Sequence, residues 1–437
     1  MIKQHPPVTV TLSAIIGGGQ AIGTLEEGKK VLVWGGLPLE TVEVAVTKKK
    51  SKYLEGTVET VISASNERVA PKDPGSYLST SPWQIMNFDA ELHYKSALIE
   101  EAFELHDIVL PQPITVYSDE HEYGYRNKIE FSFWYDTDAE KLSLAFFRRG
   151  THGKISVEGT SLASPAITDV SRVIIKILND LKVGGRDLKT LLIRSNANGD
   201  VAWQLYVKNE SIDGDAIITA VEAAYPSICA EVIYSNPKSP ASVITKRLAA
   251  SSETALSDTI LDVPFRYATE GFFQINLPVY EQALRDMKKW IANDTPVIDL
   301  YSGVGTIGLT IGGDDVTLIE LNEHAVREMK RNIYELGMKG KAKPILAASE
   351  DATEHIIAEA TIIVDPPRAG LHDDVIDRLL DVQPARIIYL SCNPVTQARD
   401  IGKLGEVYGI RHHQGYNFFP RTPHIEHLVI LDKKPTS

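Results

Sequence analysis

The feature that most constrains the fold is an alternation of apolar, strand-like runs with helical segments in the C-terminal part of the chain. From Gln274 onward the segments "TPVIDLYSG", "VTLIELNEHAVREMKRNIYELG", "ATIIVDPPRAG" and "ARIIYLSCNP" follow one another. Apolar strands that alternate with helices predict a mostly parallel, doubly wound sheet. In such a sheet, ligands bind beyond the carboxyl ends of the strands, so the residues that follow each strand are the candidates for chemistry.

Glycines and a carboxylate follow two neighbouring strands of this predicted sheet. In "DLYSGVGTIGL", Gly303 and Gly305 would let a ligand approach the backbone closely. The next strand ends at Glu320, where a carboxylate can accept hydrogen bonds from both hydroxyls of a ribose. The alternative for Glu320 alone is a charge at a helix N-terminus. The turn departs from the G-x-G-x-x-G fingerprint of dinucleotide sites, so the pair predicts a site for a nucleoside.

Two further strands end in an acidic residue and a thiol. Asp365 precedes two prolines that stiffen its loop, and the alternative for it is a stiff turn with an incidental carboxylate. Cys392 is one of two cysteines in the chain. A thiolate is a strong nucleophile, and we interpret Cys392 as one because it shares the sheet edge with Glu320 and Asp365. We assign Cys229 a buried structural role.

Near the end of the chain, "TPHIEHLVIL" places an acidic residue just before a terminal strand. Glu426 is the candidate general base of this segment. Its neighbours His424 and His427 are open to a second interpretation, in which they only cap or pack around the loop.

Composition and charge exclude several classes of protein. The formal net charge is −13, which argues against indiscriminate coating of nucleic acid but permits local basic patches. No apolar run approaches the roughly 20 residues of a membrane span. Two cysteines far apart give neither a disulfide framework nor a zinc motif. We therefore expect a cytoplasmic protein that does not interact with a membrane.

Taken together, five motifs resemble those of the RNA uridine-5-methyltransferase family, over nearly the whole chain. They are "GFFQIN" at Gly271, "DLYSGVGTIGL", "DPPRAGL" at Asp365, "SCNP" at Ser391 and "FPRTPHIEHL" near the end. The resemblance implies S-adenosyl-L-methionine as cofactor and methylation of carbon 5 of a uridine in RNA. It implies that Cys392 is the nucleophile and Glu426 the base. It also implies that the cofactor is contacted by Gln274, Tyr301, Glu320 and Asp365.

The same resemblance, with the strand and helix patterns, predicts an α/β protein of several domains. Residues 1–67 are expected to form a small β-barrel of the TRAM or OB-like type, and residues 68–120 a linker and a helix, from Asp89 to Leu105 with Asp89 as N-cap, that packs on the catalytic domain. Residues 121–268 are predicted to form a central α+β domain that binds RNA, with Arg126 and Lys128 as candidate contacts. A Rossmann-like methyltransferase domain is expected at 269–437.

One departure from the family concerns iron. Many relatives hold a four-iron cluster through cysteines placed after the barrel, whereas the corresponding stretch here, "VAPKDPGSYLSTSPWQIMNF", contains none. Because Cys229 and Cys392 alone cannot build a thiolate cage, we predict that the protein has no iron–sulfur cluster and no metal site.

The expected partner is RNA, with 23S ribosomal RNA preferred to transfer RNA as the substrate, and we expect a monomer. RNA 5-methylcytosine enzymes are disfavoured because their Pro-Cys loop reads Asp-Pro-Pro here, and adenine amino-methylating enzymes because Arg368 stands where they favour an aromatic residue. An alternative of another class is a non-catalytic RNA-binding or assembly protein on the same scaffold.

Overall fold

The β-strands of the protein form four sheets, one of which closes into a barrel. A computed structural model describes residues 6–151, 153–226, 229–251 and 255–435. In these ranges, a five-stranded closed barrel is followed by sheets of seven, two and eight strands. The predicted α/β class with an N-terminal barrel is therefore confirmed. None of the helices in these ranges combines the length and the apolar character needed to cross a membrane.

The barrel forms because its strands alternate apolar and polar residues, so that one face of each strand points inward. Val10, Leu12, Val31 and Val33 are among the buried residues that fill it. The order around the barrel is β1-β2-β3-β5-β4. The strands are β1 (Val8–Ile15), β2 (Ala21–Thr24), β3 (Lys30–Trp34), β4 (Thr41–Lys49) and β5 (Tyr53–Ser63).

The segment after the barrel packs on the C-terminal sheet. It contains α1 (Tyr77–Thr80), α2 (Phe88–Glu104) and the short strand β6 (Val116–Tyr117). β6 pairs in parallel with the edge of the C-terminal sheet, and α2 buries Ile99, Ala102 and Phe103 in the core of that sheet. The predicted N-cap of α2 was wrong: Asn87, and not Asp89, accepts the hydrogen bond from Ala90 N, at 2.8 Å.

The central sheet has the order β13-β12-β11-β10-β7-β8-β9 and carries two helices. Helix α3 begins at Pro165, which suits the first helical turn because its missing N–H has no partner there. The elements are β7 (Lys128–Asp136), β8 (Lys141–Phe147), β9 (Lys154–Val157), α3 (Pro165–Asp180), β10 (Leu188–Ser195), β11 (Val201–Val207), α4 (Gly214–Ala224), β12 (Cys229–Tyr234) and β13 (Lys246–Ala250).

A two-stranded hairpin, β14 (Ala255–Ile260) and β15 (Val263–Ala268), follows the central sheet. Its buried residues Leu256, Phe265 and Tyr267 belong to the same apolar core as the C-terminal sheet. The domain boundary predicted at residue 268 stays a prediction. The hairpin precedes that boundary in sequence, but its apolar residues pack in the core of the C-terminal sheet.

The C-terminal sheet has the order β18-β17-β16-β19-β20-β22-β21-β6. Strands β16 to β20 are parallel, as the alternation with helices predicts, and β22 is antiparallel to both β20 and β21. Its elements are α5 (Leu277–Lys288), β16 (Val297–Leu300), α6 (Thr306–Ile311), β17 (Val316–Glu320), α7 (Glu323–Glu335), β18 (Ala342–Leu346), a 3₁₀ helix (Ser349–His355), β19 (Thr361–Val364), α8 (Asp373–Val382), β20 (Arg386–Ser391), α9 (Pro394–Leu404), β21 (Tyr408–Tyr416) and β22 (Glu426–Lys433).

The barrel touches the C-terminal sheet through the loop between β1 and β2. Trp83 donates its indole N–H to Gly19 O at 3.0 Å. A Cβ atom at Gly19 would lie 2.1 Å from Pro423 Cβ, so the backbone of the loop packs directly on the segment before β22. Gly18, next to it, has the same left-handed backbone but faces open space.

This pair of glycines gives a matched test of the contact. Gly18→Ala is expected to cost only the strain of a left-handed alanine, about 1–2 kcal/mol. Gly19→Ala adds a clash with Pro423 and should cost a further ~1–3 kcal/mol. Thermal unfolding of the two variants measures the difference, and equal losses would mean that the loop does not pack on Pro423.

Candidate active site

The carboxyl edge of the C-terminal sheet brings together the residues singled out from the sequence. Glu320 ends β17, Asp365 follows β19 and Cys392 follows β20. Glu426 begins β22, and because that strand runs antiparallel to β20, its first residue lies at the same edge. The last pair of the β20–β22 ladder joins Ser391 to His427, which places Cys392 and Glu426 just beyond it.

The glycine turn after β16 is shaped by the carboxylate that ends β17. Glu320 accepts hydrogen bonds from Gly303 N at 2.9 Å and from Asn322 N at 2.7 Å. Each of its oxygens thus retains a free lone pair. Tyr301, directly after β16, has a φ of 63°, a left-handed conformation that is costly for a residue with a side chain and that collects at functional sites.

Beneath this turn lies a second, fully buried carboxyl group. Asp299 accepts a hydrogen bond from Gly308 N at 2.9 Å through one oxygen, while its other oxygen has no partner in the protein. Burial, together with the charges of Asp365 and Glu320, raises the pKa of Asp299 to about 8. The group is therefore mainly neutral at pH 7.

Gln274 lies in the loop before α5 and is buried. Its carbonyl oxygen accepts a hydrogen bond from Asn127 Nδ2 at 2.8 Å, which ties this loop to the beginning of the central sheet. Gln274 is thus held from the central region, whereas the other predicted cofactor residues are held by the C-terminal sheet.

The loop that follows Asp365 is fixed by helix α9. Asp400, which is fully buried, accepts hydrogen bonds from Leu371 N and from the Tyr389 hydroxyl, both at 2.8 Å. Gly370 has a φ of 82°, and a Cβ atom there would lie 2.5 Å from the Asp400 carboxylate. The glycine of "DPPRAGL" is therefore required both by the backbone and by the close approach of this carboxylate.

Cys392 is partly accessible and lines a cavity of about 300 Å³. The cavity is bounded by the barrel loop at Gly17 and Gly18, by α2 and by the first turn of α9. Its size matches the lower end of small-molecule pockets, roughly 300–1,000 Å³. Burial, and then the charges of Glu426 and Asp365, raise the pKa of the Cys392 thiol to about 11.

The carboxyl groups of Asp365 and Glu426 lie close enough to the Cys392 thiol to affect its pKa. Burial raises the pKa of Asp365 to about 7. Burial and the charge of Asp365 raise the pKa of Glu426 well above its usual range, while Arg368 opposes the shift. Two such groups resist ionising together, because the charge of one disfavours the charge of the other.

Arg368 is a functional residue that the sequence reasoning did not select. Its guanidinium lies 3.1 Å from His424 Nδ1, and both side chains line the cavity beside Cys392. Its charge lowers the pKa of the thiol and of Glu426, and burial with Arg368 lowers the pKa of His424 to about 4. The sequence does contain a signal for Arg368, namely a basic residue directly after Asp-Pro-Pro.

A buried network of charges on α2 fixes the segment before Glu426. Lys95 is fully buried and contacts Glu91 at 3.1 Å, Asn417 at 2.5 Å and the carbonyl oxygen of Phe419 at 3.1 Å. Glu91 also accepts two hydrogen bonds from Arg421 N. Buried charges are tolerated when they are paired, as Lys95 and Glu91 are within α2, and the hydrogen bonds of both side chains to the loop fix it on the helix.

The predicted RNA contacts are engaged within the protein. Lys128 donates a hydrogen bond to Glu270 O at 3.3 Å, and burial with the charge of Arg194 lowers its pKa to about 8. Arg126 lies over the ring of Tyr125. Their role toward RNA stays a prediction.

This edge of the sheet has the open space and the hydrogen-bond acceptors that a nucleoside needs. A Cβ atom at Gly303 would meet no other atom within 4 Å, so there is room above the turn. The free lone pairs of Glu320 suit a ribose diol, and the partnerless oxygen of Asp299 marks a further polar position beneath. Glu320, Asp365 and Gln274 would hold S-adenosylmethionine here.

In fold and site, the chain has the architecture of a Rossmann-like methyltransferase. Comparison with known proteins shows which kind of methyltransferase the chain resembles. Residues 347–434 match the family model for tRNA (uracil-5-)-methyltransferases, and residues 7–58 match that for the TRAM domain. The chain is an RNA methyltransferase with a C-terminal domain of the (uracil-5-) type and an N-terminal TRAM domain, in agreement with the five motifs. S-adenosylmethionine is the methyl donor of this class of enzyme.

Relatives of full length share the whole architecture. An uncharacterized RNA methyltransferase of Nitratidesulfovibrio vulgaris is 27% identical, and the alignment covers 97% of this chain and 96% of that relative. One from Enterococcus faecalis is also 27% identical, with coverages of 99% and 98%. The crystal structure of Pyrococcus abyssi tRNA (uracil-54, C5)-methyltransferase with S-adenosyl-L-homocysteine has a TM-score of 0.75 at 22% identity, covering 97% of this chain and 100% of that one.

The charges around Cys392 give a prediction that needs no substrate. Because burial, and then the charges of Glu426 and Asp365, raise the pKa of the thiol to about 11, its alkylation rate should rise with pH up to that region. Glu426→Gln and Asp365→Asn each remove a negative charge and should move the midpoint to lower pH. Peptide mass spectrometry separates Cys392 from the buried Cys229, and an unchanged midpoint in both variants would contradict the placement of the carboxyl groups.

Proposed function

We propose that this enzyme methylates carbon 5 of a uridine in RNA through a covalent bond between Cys392 and the base. The observation that carries the proposal is the convergence of Cys392, Glu426 and Asp365 at one edge of the sheet, beside an open cavity. The family supports RNA (uracil-5-)-methylation in general. The roles of the single residues are those that the resemblance implies, and the chemistry explains why these residue types are needed.

The thiol is required because carbon 5 of uracil is a weak nucleophile. Addition of the Cys392 sulfur to carbon 6 forms a C–S bond and places the electron pair on the ring as an enolate, which makes carbon 5 electron-rich. The thiol proton leaves to solvent as this bond forms, because Cys392 is partly accessible from the cavity, so that Glu426 stays free to accept a proton in the later step. When bound, S-adenosylmethionine supplies an electrophilic methyl group for carbon 5.

The second half of the reaction needs a base. After methylation, carbon 5 still carries a hydrogen, and its removal lets the C–S bond break and the double bond reform. Glu426 is suited to this step because its surroundings raise its pKa toward neutrality, where a general base is most effective. Such assistance typically contributes roughly 10²–10⁴-fold to the rate.

Two substitutions separate these steps. Cys392→Ala should abolish the covalent protein–RNA complex, because no sulfur is available for addition. Glu426→Gln should still form the complex and methylate the base but release it slowly, so that methylated RNA accumulates on the protein. Denaturing gels with labelled methyl donor measure both. Normal turnover by Glu426→Gln would show that another group is the base.

We propose that the target uridine enters through the cavity beside Cys392. A base inside folded RNA must leave its stack to reach the thiol, as base-modifying enzymes commonly require. The barrel supplies one wall of the cavity through Gly17 and Gly18, and Arg368 supplies a positive charge near the entering nucleotide. The TRAM barrel is therefore placed to contact the RNA that flanks the target.

We propose 23S ribosomal RNA as the substrate and transfer RNA as the second candidate, with the enzyme acting as a monomer in the cytoplasm. The name of the similar Pyrococcus abyssi enzyme, a tRNA (uracil-54, C5)-methyltransferase, favours the second candidate. Mapping of 5-methyluridine by mass spectrometry in ribosomal and transfer RNA from a deletion strain decides between them. Loss of the nucleoside from transfer RNA alone would refute the first choice.

A further inference from the structure

Cys392 lies beyond the last pair of its strand ladder, so something else must hold its distance from Glu426. β20 and β22 are paired up to Ser391 and His427. Beyond this pair the chain enters α9 on one side and the loop before β22 on the other. The ends of strands fray unless side chains anchor them. A residue that binds both strand ends at once would fix the two reacting groups relative to each other.

Gln397, on the first turns of α9, makes such a contact. It is fully buried, and its amide nitrogen donates to the carbonyl oxygens of Tyr389 at 3.0 Å and of His427 at 2.9 Å. Tyr389 lies on β20, three positions before Cys392, and His427 directly follows Glu426 on β22. Both hydrogens of the amide are thus used to join the two strands.

The orientation of this amide is determined by its surroundings. With the nitrogen placed toward two carbonyl oxygens, the amide oxygen points to His427 Nδ1, at 2.8 Å. In the reversed amide, the side-chain oxygen would face these two carbonyl oxygens in a buried site, which is strongly unfavourable. His427 must therefore carry its hydrogen on Nδ1 and a lone pair on Nε2.

The ring of His413 packs edge-on against the ring of His427. His413, on β21, lies 2.9 Å through its Nε2 from the carbonyl oxygen of Gln112. Phe103 of α2 packs edge-on against the ring of His427. Gln397 is therefore supported from three sides: by β21, by α2 and by its own helix.

We infer that Gln397 is a positioning residue, which sets the separation of Cys392 and Glu426, and that His427 locks its amide in the required orientation. The inference rests on the proposed function in that it assigns these two residues to successive steps. Gln397 itself touches neither RNA nor cofactor. A displacement of about 1 Å at a reacting group can cost on the order of 100-fold in rate.

The test uses Gln397→Met, which keeps the side-chain length and removes both donors. Release of methylated RNA, the step that needs Glu426, should slow by roughly 10- to 100-fold. Formation of the covalent complex should slow much less, and KM for RNA should stay unchanged. The alkylation midpoint of Cys392 should move to lower pH, because the thiol is no longer held near Glu426.

Gln414→Met is the matched control. Gln414 also makes three hydrogen bonds, one from the Thr115 hydroxyl and two to the carbonyl oxygens of Thr115 and Gly415, but it lies on β21, which β22 separates from β20. Because Gln414 is only half-buried, its variant should lose less thermal stability than Gln397→Met, and it should leave the alkylation midpoint and the release step unchanged. Equal slowing of both steps in Gln397→Met, or the same changes in Gln414→Met, would overturn the inference.

A second measurement does not depend on the variant folding or on the substrate. Long-range ¹H–¹⁵N spectra of the full-length wild-type protein report which nitrogen of His427 is protonated, and the inference requires Nδ1. Protonation on Nε2 alone would refute it. If the wild type forms no covalent complex with any RNA, the proposed function fails, whereas the alkylation profile and these spectra still decide the role of Gln397.

Discussion

The active site depends on one strand that runs against its neighbours. Had β22 been parallel to β20, its first residue would lie at the opposite edge of the sheet, far from the thiol. Because it is antiparallel, the pairing of Ser391 with His427 brings the end of one strand to the beginning of the other. A slip of one residue would turn Glu426 to the other face of the sheet, so the register itself is a catalytic requirement.

The second constraint is electrostatic. The thiol and both carboxyl groups lie where burial disfavours charge, and the charge of Asp365 further raises the pKa of Cys392 and of Glu426. The surroundings of the thiol and of Glu426 therefore favour their protonated forms. The positive charge of Arg368 has the opposite effect. It lowers the pKa of Cys392 and of Glu426 and so reduces the free energy needed to ionise them.

Sequence alone could locate the residues that follow strands, since parallel strands share one carboxyl edge. Glu320, Asp365 and Cys392 were found in this way, and the motif resemblance supplied the family. The sequence could not predict contacts between distant segments. The cavity wall at Gly17 and the Arg368–His424 contact join parts of the chain that are far apart in sequence, and local sequence patterns carry no information on such pairs. The N-cap of α2 was misplaced because two polar residues within the same turn compete for that role.

The linker after the barrel shows how a segment without cysteines can still be fixed. Asp73 accepts hydrogen bonds from Ser161 N and from the Ser161 hydroxyl, the latter at 2.7 Å, and from Gln84 Nε2 at 3.0 Å. Gln84 is fully buried and also donates to Ser81. These bonds tie the linker to the loop before α3. The linker between the barrel and α2 is thereby fixed by one carboxylate and by neutral side chains, whose hydrogen bonds require neither a metal nor a thiol.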